Sequence, residues 1–174
     1  MLKTIAGIYP IKSGTLDVQG EIRSLFDLNL GFDLESTGRE NIMYRGLLLG
    51  ESPKTMREKE QEIIDFADLG EFIDYPIRSY SAGMLVRLAF SISTSVSGEI
   101  LLLDEVIGAG DASFIAKARD RMHSLMNRAK ILVLVSHDLT TITEICNRVV
   151  LIKQGEIIKD GEPEEVIKYY KNSI

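Results

Sequence analysis

The sequence predicts an α/β fold with a parallel core sheet and a helical insertion. Three observations carry this. Two short, unbroken apolar runs, Ile100 to Leu103 and Ile131 to Val135, are strand-sized and show no polar alternation. Strands covered on both faces look like this. Helix-length stretches follow each of them, the alternation of an α/β chain. Residues 38–97, by contrast, are almost purely helical in pattern. They read as a helical subdomain inserted into a body made of residues 1–37 and 98–174.

The elements follow in order. Residues 1–6 look like the tail of a helix closed by Gly7, and Ser13-Gly14 marks a turn. Strand-like runs lie at 15–18 and 21–27, with Gln19-Gly20 between them. Thr37-Gly38-Arg39-Glu40 has capping-box spacing and opens a helix to about Leu49, stopped by Gly50. Ser52-Pro53 reads as N-cap and first helical residue of a helix to about Leu69, ended by Gly70. A third helix covers about Met84 to Val96. After the strand at 100–103, residues 112–128 form a helix with Asp111 as candidate N-cap. Asp138 caps a short helix to about Cys146. Val149 to Ile152 and Glu156 to Lys159 flank Gln154-Gly155, a hairpin signal. Pro163 starts the last helix, whose Tyr169-Tyr170 is expected to pack on the body.

The chain has 174 residues and a net charge of −6. That is one domain's length, with enough chain for a buried core. The acidic balance argues against a nucleic-acid-binding surface spread over the domain. A single cysteine, Cys146, excludes an internal disulfide framework and suits a reducing compartment. With only two histidines, soft metal ligands are scarce. No apolar run approaches the roughly 18 residues of a membrane span. The first seven residues lack the pattern of a signal peptide. A membrane, where one matters, is expected to be met through a partner.

Three segments carry candidate chemistry. Ile100-Leu101-Leu102-Leu103-Asp104-Glu105 delivers two carboxylates at the end of a buried strand, where open α/β sheets place ligands. The first carboxylate can help hold Mg²⁺ and the second can polarise a water that attacks a phosphate. On these residues alone, the other reading stays open: any strand ends in polar residues at the surface. Val133-Leu134-Val135-Ser136-His137-Asp138 ends a second strand in a histidine that could hydrogen-bond a phosphate oxygen or the attacking water. A surface or capping histidine fits as well. In Tyr80-Ser81-Ala82-Gly83-Met84-Leu85, a hydroxyl and a glycine precede a helix. That is an anion site where Gly83 allows close approach to the backbone, or an ordinary cap. His123 and the charge run Lys54 to Glu62 read as solvated helix surface.

Taken together, these motifs resemble the ATPase subunit of an ABC transporter. Tyr80 to Met84 look like its signature motif. Asp104-Glu105 look like its Walker B end, Asp111 like its D-loop aspartate and His137 like its switch histidine. Tyr-Ser-x-Gly-Met with Arg-Leu-Ala-Phe, Asp-Glu-Val-Ile-Gly-Ala-Gly-Asp, and Thr-Gly-Arg-Glu-Asn-Ile narrow the resemblance to the branch exporting bacterial cell-surface polysaccharides or teichoic acids. The resemblance implies a P-loop NTPase-like sheet, with ATP and Mg²⁺ as cofactors. Glu105 and His137 are then catalytic. Ser81, Gly83, Asp104 and Asp111 bind the nucleotide, Asp104 also through the metal. It further implies a second ATPase subunit, a transmembrane permease, a peripheral place on the cytoplasmic face of the bacterial inner membrane, and no nucleic acid.

The family's phosphate loop, Gly-x-x-x-x-Gly-Lys-Ser/Thr, has no counterpart in these residues. Met1 to Gly7 match the helix that follows it. The expectation is a chain that starts after its P-loop and lacks the preceding strands and the adenine-stacking aromatic. Alone, it should neither bind ATP tightly nor hydrolyse it. By resemblance the missing strand belongs beside Ile131 to Val135, so an uncovered edge and low stability are expected. No Q-loop glutamine is evident between Leu25 and Thr37; Asp27 lies nearby and takes no role. Ala82 and Met84 stand where the commonest signature has Gly and Gln. In ABC dimers one subunit's signature completes the other's P-loop site, so Ser81 and Gly83 could serve ATP held by an intact partner. A non-catalytic regulatory or docking subunit is the alternative. An ATPase acting on nucleic acid is disfavoured by the charge.

Overall fold

The computed structural model describes residues 1–26, 31–104 and 112–173. The described residues divide into two compact units, one over 1–103 and 112–133, the other over Asp104 and 134–173.

The first unit holds a three-stranded sheet ordered β1 (Ile22–Ser24), β2 (Ile100–Asp104), β3 (Ile131–Val135). β1 runs parallel to β2 in the register Ile22↔Ile100, Arg23↔Leu101, Ser24↔Leu102. The Leu25 N–H extends the pairing to the Leu102 carbonyl at 3.0 Å. β2 is central, and Ile100 to Leu103 are all buried. Ile100 and Leu102 share one face with Leu2, Ile22 and Val133. Leu101 and Leu103 take the opposite face by the two-residue period of a strand. The unbroken apolar run thus has the burial on both faces that the sequence predicted for it.

β3 does not. Ile131 is 51% and Val135 40% exposed. Among the described strands β3 is an edge of the sheet, with a neighbour on one side only. Its Val133 packs with Leu2 of α1 (Leu2–Ile5), a single helical turn too short to cover a whole strand face. The run at 15–18 also departs from expectation. It forms no strand, because no neighbouring strand among the described residues offers it a ladder. Val18 still packs on the Leu2–Leu102 cluster. The expected strand 21–27 shrinks to the three residues of β1, and Asp27 lies outside the described residues.

Residues 38–97 fold as three helices, α2 (Gly38–Leu48), α3 (Pro53–Ala67) and α4 (Ala82–Ser95). Short 3₁₀ turns at Gly70–Asp74 and Ile77–Ser79 lie between the last two. Both halves of the capping box form at the start of α2. Thr37 Oγ1 accepts from the Glu40 N–H at 3.2 Å, and Glu40 Oε2 accepts from the Thr37 N–H at 2.8 Å. Ser52 caps α3 with Pro53 at its first position. The three helices and the second 3₁₀ turn bury Ile42, Met56, Ile63, Ile77, Leu88 and Ile92 in one cluster. Gly46 is what lets α2 and α3 close up: a Cβ there would lie 2.3 Å from Met56 Cγ.

Phe66 of α3, Phe90 of α4 and Phe114 of α5 (Ala112–Arg128) form a ring triad with centroids 5.8–6.0 Å apart. The α5 cations Lys117 and Arg121 lie 4.7 and 4.4 Å from the Phe66 centroid, in cation–π range. His123 on α5 is exposed, as read.

The second unit contains α6 (Leu139–Ile145), β4 (Val149–Lys153), β5 (Glu156–Gly161) and α7 (Pro163–Asn172). β4 and β5 pair antiparallel. Gln154 and Gly155, with φ of 54° and 86°, make the left-handed two-residue turn that suits the twist of a hairpin. α7 buries Pro163, Val166 and Ile167. Tyr169 and Tyr170 are instead exposed, since the helix turns Val166 and Ile167 inward. Tyr169 meets the Lys159 ammonium at 5.7 Å.

Candidate active site

The start of α4 is the best-defined of the candidate segments. Ser81 takes extended backbone angles and caps the helix, its Oγ accepting from the Met84 N–H at 3.2 Å. That bond uses an oxygen lone pair, so the hydroxyl proton remains to be donated outward. The side chain is exposed. A helix's first amides have no carbonyl one turn back, so those of Ala82 and Gly83 carry the positive end of the helix dipole. Gly83 has no internal reason to be glycine. Its φ is not left-handed, and a Cβ there would meet nothing nearer than Ser81 Oγ at 3.9 Å. The sequence thus leaves bare backbone beside a hydroxyl at a positive helix end.

Residues to which the sequence motifs assigned no role of their own hold this end in place. Tyr80, almost fully buried, donates its hydroxyl to the Phe72 carbonyl at 2.5 Å. Burial pushes its phenol up to about 12, with the Asp74 carboxylate adding to the shift. The folded state therefore keeps a proton that the unfolded chain releases near pH 10. The stabilisation is complete below pH 10 and is lost as pH rises towards 12, by about 2–3 kcal/mol. Urea unfolding at pH 9 and 11.5 should show wild type losing more stability than Tyr80→Phe across that window. Parallel curves for the two proteins would remove this role from the phenol.

Asn41 of α2 is fully buried and organises the turn at 33–37. Its Nδ2 donates to the carbonyls of Asp33 (2.9 Å), Ser36 (3.2 Å) and Thr37 (2.9 Å), and its Oδ1 accepts from the Asp33 N–H at 2.8 Å. The turn is in turn stitched to residues 77–78, with Ile77 N–H donating to Ser36 O and Arg78 N–H to Leu34 O. Asn41→Ala strips partners from several backbone groups at once, at about 1–3 kcal/mol for each one left dry. A loss of roughly 2–4 kcal/mol is expected in urea unfolding. A change below about 0.5 kcal/mol, the scale of a neutral surface substitution, would mean water replaces the side chain at no cost.

Arg45, one turn on, is also buried. Its guanidinium lies 4.5 Å from the Phe32 ring centroid and donates to Ser93 Oγ of α4 at 3.3 Å. Burial draws its pKa down to about 10, which leaves it charged at neutral pH. Local spacing does not mark Asn41 and Arg45 as inward-facing, since their partners at 32–37 and Ser93 are met only when the elements pack. Ser91 and Thr94 of α4 are buried too, but return their hydroxyls to the carbonyls of Arg87 and Phe90 one turn back.

The candidate carboxylate and histidine are placed by the strand ends. Lys130 and Ile131 N–H both donate to Glu99 O, so β2 and β3 begin at the same end and finish at the same end. Asp104 is the last residue of β2 and its only exposed one. His137, also exposed, follows β3. Its turn is fixed by Asp138, whose carboxylate caps α6 through the Thr140 N–H (3.0 Å) and accepts the Thr141 hydroxyl (2.6 Å). The Thr141 hydroxyl holds the Asp138 carboxyl below its ordinary range. The Asp138 N–H donates to Ser136 Oγ at 3.0 Å. Glu105 and Asp111 lie outside the described residues. Among the described residues no three His, Cys, Asp or Glu side chains gather into a metal cluster. An exposed carboxylate at a strand's end suits a metal that is mostly held by water and by its nucleotide, as Mg²⁺ is. Among the described residues no helix is long and apolar enough to cross a membrane.

No family model matches the chain. It is 41% identical over 174 residues to the O-antigen export system ATP-binding protein RfbB of Myxococcus xanthus, all of this chain and 40% of that protein. It is 43% identical over 161 residues to the O-antigen export system ATP-binding protein RfbE of Yersinia enterocolitica, 92% of this chain and 67% of that protein. It is 36% identical to the teichoic acids export ATP-binding protein TagH of Lactococcus lactis, over 98% of this chain and 36% of that protein. The chain thus spans between about a third and two thirds of these relatives. Among solved structures, the ATP-binding subunit of an ABC transporter superposes with a TM-score of 0.68 at 15% identity, over 87% of this chain and 62% of that one. A dimeric ATP-binding cassette in a post-hydrolysis state, bound to ADP and Pi, superposes with a TM-score of 0.59 at 22% identity, over 82% and 63%.

Proposed function

The chain belongs to the family of ATP-binding subunits of O-antigen and teichoic acid export ABC transporters, and from that premise we propose that it forms the signature-bearing part of an ATPase that powers export of a cell-surface polysaccharide or teichoic acid. The observation that carries the reading is the start of α4, where Ser81 and the unobstructed Gly83 backbone meet a positive helix end. In this reading Ser81 and the first amides of α4 bind the terminal phosphate of ATP held by the P-loop of a second subunit. Asp104 holds Mg²⁺, and the bound ion neutralises phosphate charge. Glu105 polarises the attacking water and His137 hydrogen-bonds the transferred phosphoryl group or that water. Asp111 contributes to the nucleotide site. Residues 38–97 are the inserted helical subdomain on a body of 1–37 and 98–174, which their common buried cluster supports.

The same premise supplies the partners. The working assembly is a dimer of ATPase subunits docked on a transmembrane permease, peripheral to the cytoplasmic face of the bacterial inner membrane. The test is a pair of proteins. The 174 residues alone are expected to give no Mg²⁺-dependent turnover above background. The same residues joined behind a P-loop-bearing segment of a relative are expected to hydrolyse ATP. Turnover by the 174 residues alone would overturn the division of labour. A folded but inactive fusion would favour a non-catalytic regulatory or docking subunit instead.

A further inference from the structure

The Tyr80 hydroxyl is where three segments meet. It donates to Phe72 O in the 3₁₀ turn at Gly70–Asp74. It also sits against Gly38, the first residue of α2, where a Cβ would come within 2.3 Å of the hydroxyl oxygen. The same Cβ would meet Ile73 Cδ1 at 3.0 Å and Ile73 O at 3.1 Å, so a side chain at position 38 would crowd both the hydroxyl and the 3₁₀ turn. The Gly38 N–H donates to Tyr75 O at 3.3 Å, which keeps the start of α2 against this turn.

Tyr80 is also the residue immediately before the Ser81 cap. Leu85, four residues after the cap, packs against the same buried cluster as the Tyr80 ring. That is the placement of a hydrophobic staple, which sets the angle at which a chain enters its helix. The direction of Ser81 Oγ and of the first α4 amides therefore depends on where the phenol is anchored. One turn along α2, Asn41 holds the 33–37 turn. The glycine seat thus links that turn to the cap of α4.

We infer that Tyr80, seated against Gly38, is a positioning residue that aims the Ser81 end of α4 at its anion. The inference rests on the phosphate-binding reading of that helix end. It assigns a purpose to two residues, Gly38 and Tyr80, that touch no phosphate themselves.

The test titrates inorganic phosphate into the 174-residue chain and follows the amide resonances of Ala82 and Gly83 by NMR. Thermal unfolding is recorded alongside. Wild type should show saturable shifts at these amides. Tyr80→Phe keeps the ring and loses the anchor, and should weaken phosphate binding by about two- to tenfold, the scale of one hydrogen bond. Gly38→Ala pushes on the hydroxyl and should weaken it as well. In Gly38→Ala/Tyr80→Phe the crowding oxygen is gone, so the double variant should bind phosphate better than the sum of the two single losses predicts. If the variants lower the melting temperature but bind phosphate as wild type does, Tyr80 is structural only and the inference fails. If wild type shows no saturable response, the phosphate-site reading fails and takes the inference with it.

Discussion

Glu105→Gln, made in these residues joined behind a P-loop-bearing segment, is expected to lower ATP hydrolysis by about 10²–10⁴-fold while leaving ATP binding intact. The amide keeps the size of the carboxylate and its place after the β2 run. In the proposed reading it loses the negative charge that draws a proton from the attacking water. Nucleotide affinity comes from phosphate contacts elsewhere, so binding should be unchanged or tighter. His137→Ala should slow turnover as well, since in the same reading it removes a hydrogen bond to the reacting group. Steady-state hydrolysis and equilibrium nucleotide binding on the same preparations separate the two effects. If Glu105→Gln turns over like wild type, Glu105 is not the base, and Asp104-Glu105 return to being the polar end of a strand. If binding and hydrolysis fall together, the pair holds nucleotide and does not act on water.

Phe90→Ala carries the largest expected loss of stability. Phe90 is fully buried at the middle of α4 and faces both Phe66 and Phe114. Truncating a buried phenylalanine costs about 3–5 kcal/mol, through lost transfer energy and the cavity left behind. Two ring–ring contacts go with it. Against a total of roughly 5–15 kcal/mol, that is a large share, and a fall in melting temperature of roughly 6–20 °C should accompany it. Phe90→Leu retains most of the volume and should cost only about 1 kcal/mol. Circular dichroism melts of the three proteins give the comparison. A loss below 1 kcal/mol for Phe90→Ala would mean that α3, α4 and α5 do not depend on the triad.

The same triad shows why α4 is a sound platform for Ser81. One side of the helix is fixed by aromatic packing to α3 and α5. Its entry is fixed by Tyr80, and the buried Ser93 is reached from α2 by Arg45. An anion-binding helix end needs this rigidity, because an amide that can swing away loses the fixed direction of its dipole.

Much of the molecule was legible in the residues themselves because its devices are local. The Thr37–Glu40 capping box, Ser52-Pro53, the Ser81 and Asp138 caps, and the Gln154-Gly155 turn are each written within four residues. Each forms where the spacing predicts. A hydrogen bond closed within one helical turn depends little on what lies elsewhere in the chain. The unbroken run at 100–103 is equally self-explanatory, since four consecutive apolar residues leave no face for water. From those elements came the α/β class and the placing of Ser81, Gly83, Asp104 and His137 at element ends. Asp27, Glu105 and Asp111 lie outside the described residues, so their readings rest on the sequence.

Tertiary structure decided what depends on a distant partner. Ile131 to Val135 is apolar like β2, yet an edge position leaves Ile131 and Val135 exposed. Residues 15–18 alternate like a strand but find no ladder. Tyr169 and Tyr170 lost the inner face of α7 to Val166 and Ile167. Arg45 reads as an ordinary helix cation until Ser93, 48 residues away, is placed beside it. Gly38 reads as a small residue after a cap until the Tyr80 hydroxyl fills the space it leaves. Pattern and spacing determine which backbone bonds form nearby. Which side chain meets which across tens of residues is set only when the elements pack, because burial and hydrogen-bond satisfaction are properties of the assembled core.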